Sequence, residues 1–81
     1  MDNIQVKHDA KILSEVTTAS NCIISLVEFP QYWEIWKTEN SNISPMATIV
    51  KMDGLNAAIK YLVYWVVKQL AVEKFYVKDL M

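Results

Sequence analysis

The chain has 81 residues, 53% of them hydrophobic, with eight lysines, no arginine and nine acidic residues for a formal charge of −1. A domain of this size buries only about 60% of the surface its unfolded chain exposes, so so apolar a composition leaves hydrophobic surface outside or beneath another chain. The absent arginines remove the bidentate fork that suits phosphate and guanine, the near-neutral charge removes most of the counterion-release drive toward nucleic acid, and the lone Cys22 excludes an internal disulfide.

Residues 1–81 read as a single domain without repeats, low-complexity tracts or a long linker. The start, MDNIQVKHDAK, mixes acids and bases and leads into a Ser- and Thr-rich stretch, so no signal peptide is expected and a cytoplasmic, reducing compartment is. Within it, Ile4-Gln5-Val6-Lys7 alternates in the manner of a short edge strand.

From Asp9 to Phe29 the residues Ile12, Val16, Ala19, Ile23, Leu26 and Val27 follow helical spacing, with Ser14, Thr17, Thr18, Asn21 and Ser25 opposite. Residues 9–28 are therefore read first as an amphipathic helix, with Asp9 as its N-cap and Pro30 as its stop. The alternative is two antiparallel strands, Ile12–Thr17 and Cys22–Phe29, joined by a turn at Thr18-Ala19-Ser20-Asn21. The abundance of Ile, Val and Thr favours that alternative.

Residues 32–38, YWEIWKT, and 46–52, MATIVKM, read as an antiparallel hairpin across the polar cluster Glu39–Asn42 and Pro45. Trp33 and Trp36 then point to opposite sides of one strand, and one of them enters the core. Asp53 stands where an N-cap belongs, and a helix over about 54–73 follows it. The tail Phe75–Met81 continues that helix or forms a last strand. The fold class expected is α+β, a small two-layer domain with the hairpin packed on the C-terminal helix.

That helix contains an uncharged run, YLVYWVV at 61–67, between Lys60 and Lys68. Seven residues are too few to span a bilayer, so no membrane partner is expected. At 100° per residue, Leu55, Ile59, Leu62, Val63, Val66 and Leu70, with Val67 at the margin, share an aliphatic stripe that predicts the core face. Tyr61, Tyr64, Trp65 and Lys68 share the opposite side at i, i+3, i+4 and i+7. Rings with a polar tip beside an ammonium are interface chemistry, so these four, with Trp33 and Trp36, form the candidate partner-binding set.

Signatures of catalysis are weak. His8 is the lone histidine, the glutamates are dispersed along the chain, and a single glycine cannot build a phosphate-cradling loop. One His and one Cys make no zinc set, and Asp53-Gly54 lacks the other ligands of a calcium loop. The sequence thus predicts a non-enzymatic protein–protein interaction module with no cofactor and no metal, a homodimer or a binder of a larger protein. Its lysine-, isoleucine- and asparagine-rich usage resembles that of AT-rich genomes, which makes a phage or mobile-element inhibitor of a host defence protein the concrete version. The alternatives are a single-stranded nucleic-acid binder stacking bases on Trp33 and Trp36 beside lysines, and a structural subunit of a larger assembly.

Overall fold

A computed structural model describes residues 10–80, with side chains as far as Lys74. The expected edge strand at Ile4–Lys7, His8 and the Asp9 cap lie outside the described residues. Four strands, β1 (Lys11–Thr17), β2 (Ile23–Glu28), β3 (Tyr32–Glu39) and β4 (Asn42–Val50), form one antiparallel sheet in the order β1-β2-β3-β4. A 3₁₀ turn at Lys51–Asp53 leads into the helix α1 (Leu55–Leu80), which lies across β2 and β3 and touches β4.

The first reading of residues 9–28 as a helix is overturned, and the two-strand alternative is what forms. Asn21, at φ 64°, turns the chain in the left-handed conformation that asparagine tolerates. Thr18 and Cys22 close that turn, the Thr18 N–H donating to the Cys22 carbonyl at 2.8 Å. The misleading helical rhythm comes from β2: Ile24, Ser25, Leu26 and Val27 are all buried, so this central strand is apolar on both faces and shows no alternation.

The hairpin of β3 and β4 is present with shifted bounds. Its turn is confined to Asn40 and Ser41, both at positive φ (51° and 69°), the geometry of a two-residue hairpin turn whose twist matches the strands. Asn42–Pro45 therefore belongs to β4. Pro45, which has no N–H to give, is accommodated on this edge strand beside an irregularity at Met46, where the register steps from Ile35–Ala47 to Trp36–Pro45.

On one side of the sheet Ile24, Leu26, Trp33, Ile35 and Ile49 meet Ala58 and Leu62 of α1, with Cys22 closing one end of this core. Burial pushes the Cys22 thiol pKa up, as does the Glu39 carboxylate. Ala57 and Ala58 are small, which lets the first turn of α1 approach the strands closely. Gly54 caps that turn in place of Asp53: its carbonyl accepts from Ala57 and Ala58 at 3.1 and 3.4 Å, while the Asp53 side chain is exposed. The Phe75–Met81 tail continues the helix as far as Leu80.

The other side of the sheet carries a smaller aromatic cover. Tyr32 stacks on Phe29 with centroids 4.9 Å apart, and Trp36 tilts against Phe29 at 6.1 Å. Val27 and Ser25, the latter paired with Trp36 in the β2–β3 register, are buried on this side.

Candidate protein-binding surface

The helix meets the sheet through Ala58, Leu62, Trp65, Gln69 and Glu73, spaced i, i+4, i+7, i+11 and i+15. That face is rotated by roughly 60–70° from the aliphatic stripe the sequence suggests, less than one residue step of 100°. In consequence Leu62 is buried and Val66 half-buried, but Leu55, Ile59, Val63, Val67 and Leu70 of the expected core stripe are exposed. Two features fix this rotation. The indole of Trp65 offers more area to bury than any valine, and it packs against the core. At the far end, the Glu73 carboxylate accepts from Thr18 Oγ1, from Ser20 Oγ at 2.7 Å and from Gln69 Nε2 at 2.9 Å, tying the fifth turn of the helix to the β1–β2 turn.

These hydrogen bonds, Ser20 first, then Thr18 and Gln69, hold the Glu73 carboxyl at about 2, well below the usual carboxylate range. At the opposite end of the core Lys51 Nζ bonds Glu28 Oε2 at 2.6 Å and sits 4.7 Å over the Trp33 ring. The Lys51 hydrogen bond lowers the Glu28 pKa.

The six candidate residues separate into three groups. Trp33 is 6% exposed and belongs to the core, and its Nε1 finds no acceptor. Trp36 is half-buried on the far side of the sheet, its Nε1 donating to Glu34 at 2.8 Å. Tyr61, Tyr64, Trp65 and Lys68 remain together on α1, but Trp65 turns its ring toward the core and Tyr64 turns outward. The two rings meet edge to face at 5.4 Å, and Lys68 Nζ stands 5.4 Å from each centroid.

The outward side of α1 is a ridge. Ile59 (43% exposed), Val63 (53%), Val67 (57%) and Leu70 (48%) run along it, and Tyr64 (53%) flanks them. Lys60, Tyr61 and Tyr64 line a shallow depression of about 220 Å³, smaller than a drug-sized pocket and suited to a single side chain. The ridge is the part the sequence reading missed, having assigned Ile59, Val63, Val67 and Leu70 to the core. The signal that could have found it is the Ala57-Ala58 pair, whose small side chains mark the closest approach of helix to sheet.

Charge on the described part of α1, Leu55 to Lys74, is lopsided. Lys60, Lys68 and Lys74 are exposed, Glu73 is drawn inward to the hydroxyls, and among the described residues no carboxylate pairs with any of the three lysines. Among the same residues no three His, Cys, Asp or Glu side chains are grouped to hold a metal, and no helix is long and apolar enough to cross a membrane. The chain matches no protein-family model, no curated protein and no solved structure.

Proposed function

We propose that the protein is a binding module that acts on another protein through the outward side of α1 and carries out no chemistry itself. The observation behind this reading is the ridge. A helix apolar around most of its circumference covers one face with its own sheet and leaves Ile59, Val63, Tyr64, Val67 and Leu70 about half exposed. Together they form a patch on the order of several hundred Å², the size at which exposed apolar surface marks an interaction site. Occupying a site on a larger host protein, as a phage or mobile-element inhibitor would, is the specific form of this function.

The rest of the molecule supports the choice of face. Trp36 leans on a carboxylate that would repel a phosphate backbone, and Trp33 is covered by the helix, so base stacking on the two tryptophans has little surface to use. The test is capture from the native host with wild type, with a Val63→Asp/Val67→Asp double variant, and with Thr48→Asp on β4 as a control. The reading expects the first variant to lose the captured protein at an unchanged melting temperature while the control keeps it. Retention by the double variant would overturn the reading.

A further inference from the structure

We infer that the partner presents an acidic, apolar-centred surface, and that a second copy of this chain is not what seats on the α1 ridge. This rests on the binding reading above and specifies its occupant. On the described part of α1, Lys60 and Lys74 border the Ile59–Val63–Val67–Leu70 ridge and Lys68 stands beyond Tyr64, while the Glu73 carboxylate is turned away from it toward Thr18 and Ser20. Of the other described carboxylates, Glu15, Glu28, Glu34 and Glu39 belong to the sheet, where Glu28 is bonded to Lys51, Glu39 lies 3.6 Å from Lys37 and Glu34 accepts from Trp36, and Asp53 stands in the turn before α1. A molecule of formal charge −1 thus displays a locally cationic border beside the apolar ridge of α1.

The charge pattern decides between occupants. In a two-fold contact the same patch appears on both sides, so two copies meeting ridge to ridge would bring Lys60 and Lys74 of each copy together around one apolar seam. A partner whose aliphatic or aromatic side chains are flanked by Asp or Glu meets the same border with complementary charge. Its anchor side chain fits the depression beside Tyr61 and Tyr64, where Lys60 stands ready for a flanking carboxylate.

The experiment uses the full chain and two synthetic amphipathic helical peptides of about three heptads with identical Leu/Ile seams, one flanked by Glu and the other by Lys. Binding is followed by fluorescence anisotropy of the labelled peptides, with anionic phosphatidylglycerol vesicles and sedimentation velocity of the protein alone as further arms. The expected result is binding of the Glu peptide at least about tenfold tighter than of the Lys peptide, weakening as salt rises from about 50 to 500 mM, with a monomeric protein. Lys60→Glu/Lys74→Glu, which leaves Lys68 on its two rings, should reverse the preference.

Equal binding of the two peptides would overturn the acidic-partner inference while leaving the ridge as a binding surface. Binding of neither would remove both. Tighter binding to vesicles would make the occupant a lipid surface, and self-association abolished by Val67→Asp would make it a second copy. Each of those two outcomes also overturns the inference.

Discussion

The Thr18 hydroxyl donates to the Glu73 carboxylate across 55 positions of sequence, and this contact ties the turn between β1 and β2 to α1 about five helical turns from its start. Together with the burial of Trp65 it sets the rotation of the helix, and therefore which residues become core and which become ridge. With Ala58 and Leu62 seated on the sheet at one end and Glu73 held at the other, Trp65 is drawn in and Val63 and Val67 are left out.

The carboxyl of Glu73 titrates near 2 in the folded protein, below its ordinary value of 4.5. A carboxylate with a depressed folded-state pKa adds stability that is fully present above the unfolded value and is lost as pH falls toward the folded one. Urea midpoints of the wild type should therefore drop between about pH 4.5 and pH 2 more steeply than those of Glu73→Gln, the two converging at the acid end. Parallel curves would show that Glu73 is not held by the turn.

Leu62 and Val63 are neighbours in sequence on opposite sides of the packing boundary. Leu62→Ala should cost about 2–5 kcal/mol by urea denaturation, because it opens a cavity against Ile35 and Ile49. Val63→Ala, at an exposed position, should stay within about 0.5 kcal/mol. Comparable losses from both would restore Val63 to the core.

Trp33 combines a buried ring with an Nε1 hydrogen that has no acceptor. An unsatisfied buried donor costs about 1–3 kcal/mol, which offsets part of what the larger ring gains. Trp33→Phe, which deletes that donor and keeps a ring beneath Lys51, should lose less than about 1.5 kcal/mol, whereas Trp33→Ala should lose about 3–5 kcal/mol. Thermal or chemical melts of the pair provide the comparison.

Two backbone positions respond in opposite directions to the presence of a side chain. Gly54 has φ 89° and ψ 159°, a region open essentially to glycine, so Gly54→Ala should cost about 1–3 kcal/mol although nothing lies within 4 Å of the added Cβ. Ser41, at φ 69° in the β3–β4 turn, carries a Cβ where glycine is at ease. Ser41→Gly should raise stability by about 0.5–1 kcal/mol, read as a higher urea midpoint.

Much of this architecture is legible in the chain. The β3–β4 hairpin, the C-terminal helix and the opposed directions of Trp33 and Trp36 follow from alternation, turn residues and helical spacing. The segment over residues 9–28 defeats the same reasoning, because a strand buried on both faces loses its period-2 signature and Ile12, Val16 and Ile23 happen to fall on a helical rhythm. The rotation of α1 was hidden for a different reason. A helix apolar on nearly every side has no unique core face in its own pattern, and the choice is made by the bulk of Trp65 together with Thr18 and Ser20, more than 50 positions from Glu73. Of the candidate residues, Tyr61, Tyr64 and Lys68 stand on the outer side of α1, while Trp33 went to the core and Trp36 to the far face of the sheet.

The central claim, that the outward ridge of α1 is where this protein meets its partner, is tested most directly by placing a photo-reactive benzoylphenylalanine at single positions in the native host. Incorporation at Val67, on the ridge, should give a discrete cross-linked species on irradiation, and incorporation at Ile43, equally exposed but on β4, should give none. Cross-linking from Ile43 with none from Val67 would contradict the account and move the binding surface to the sheet.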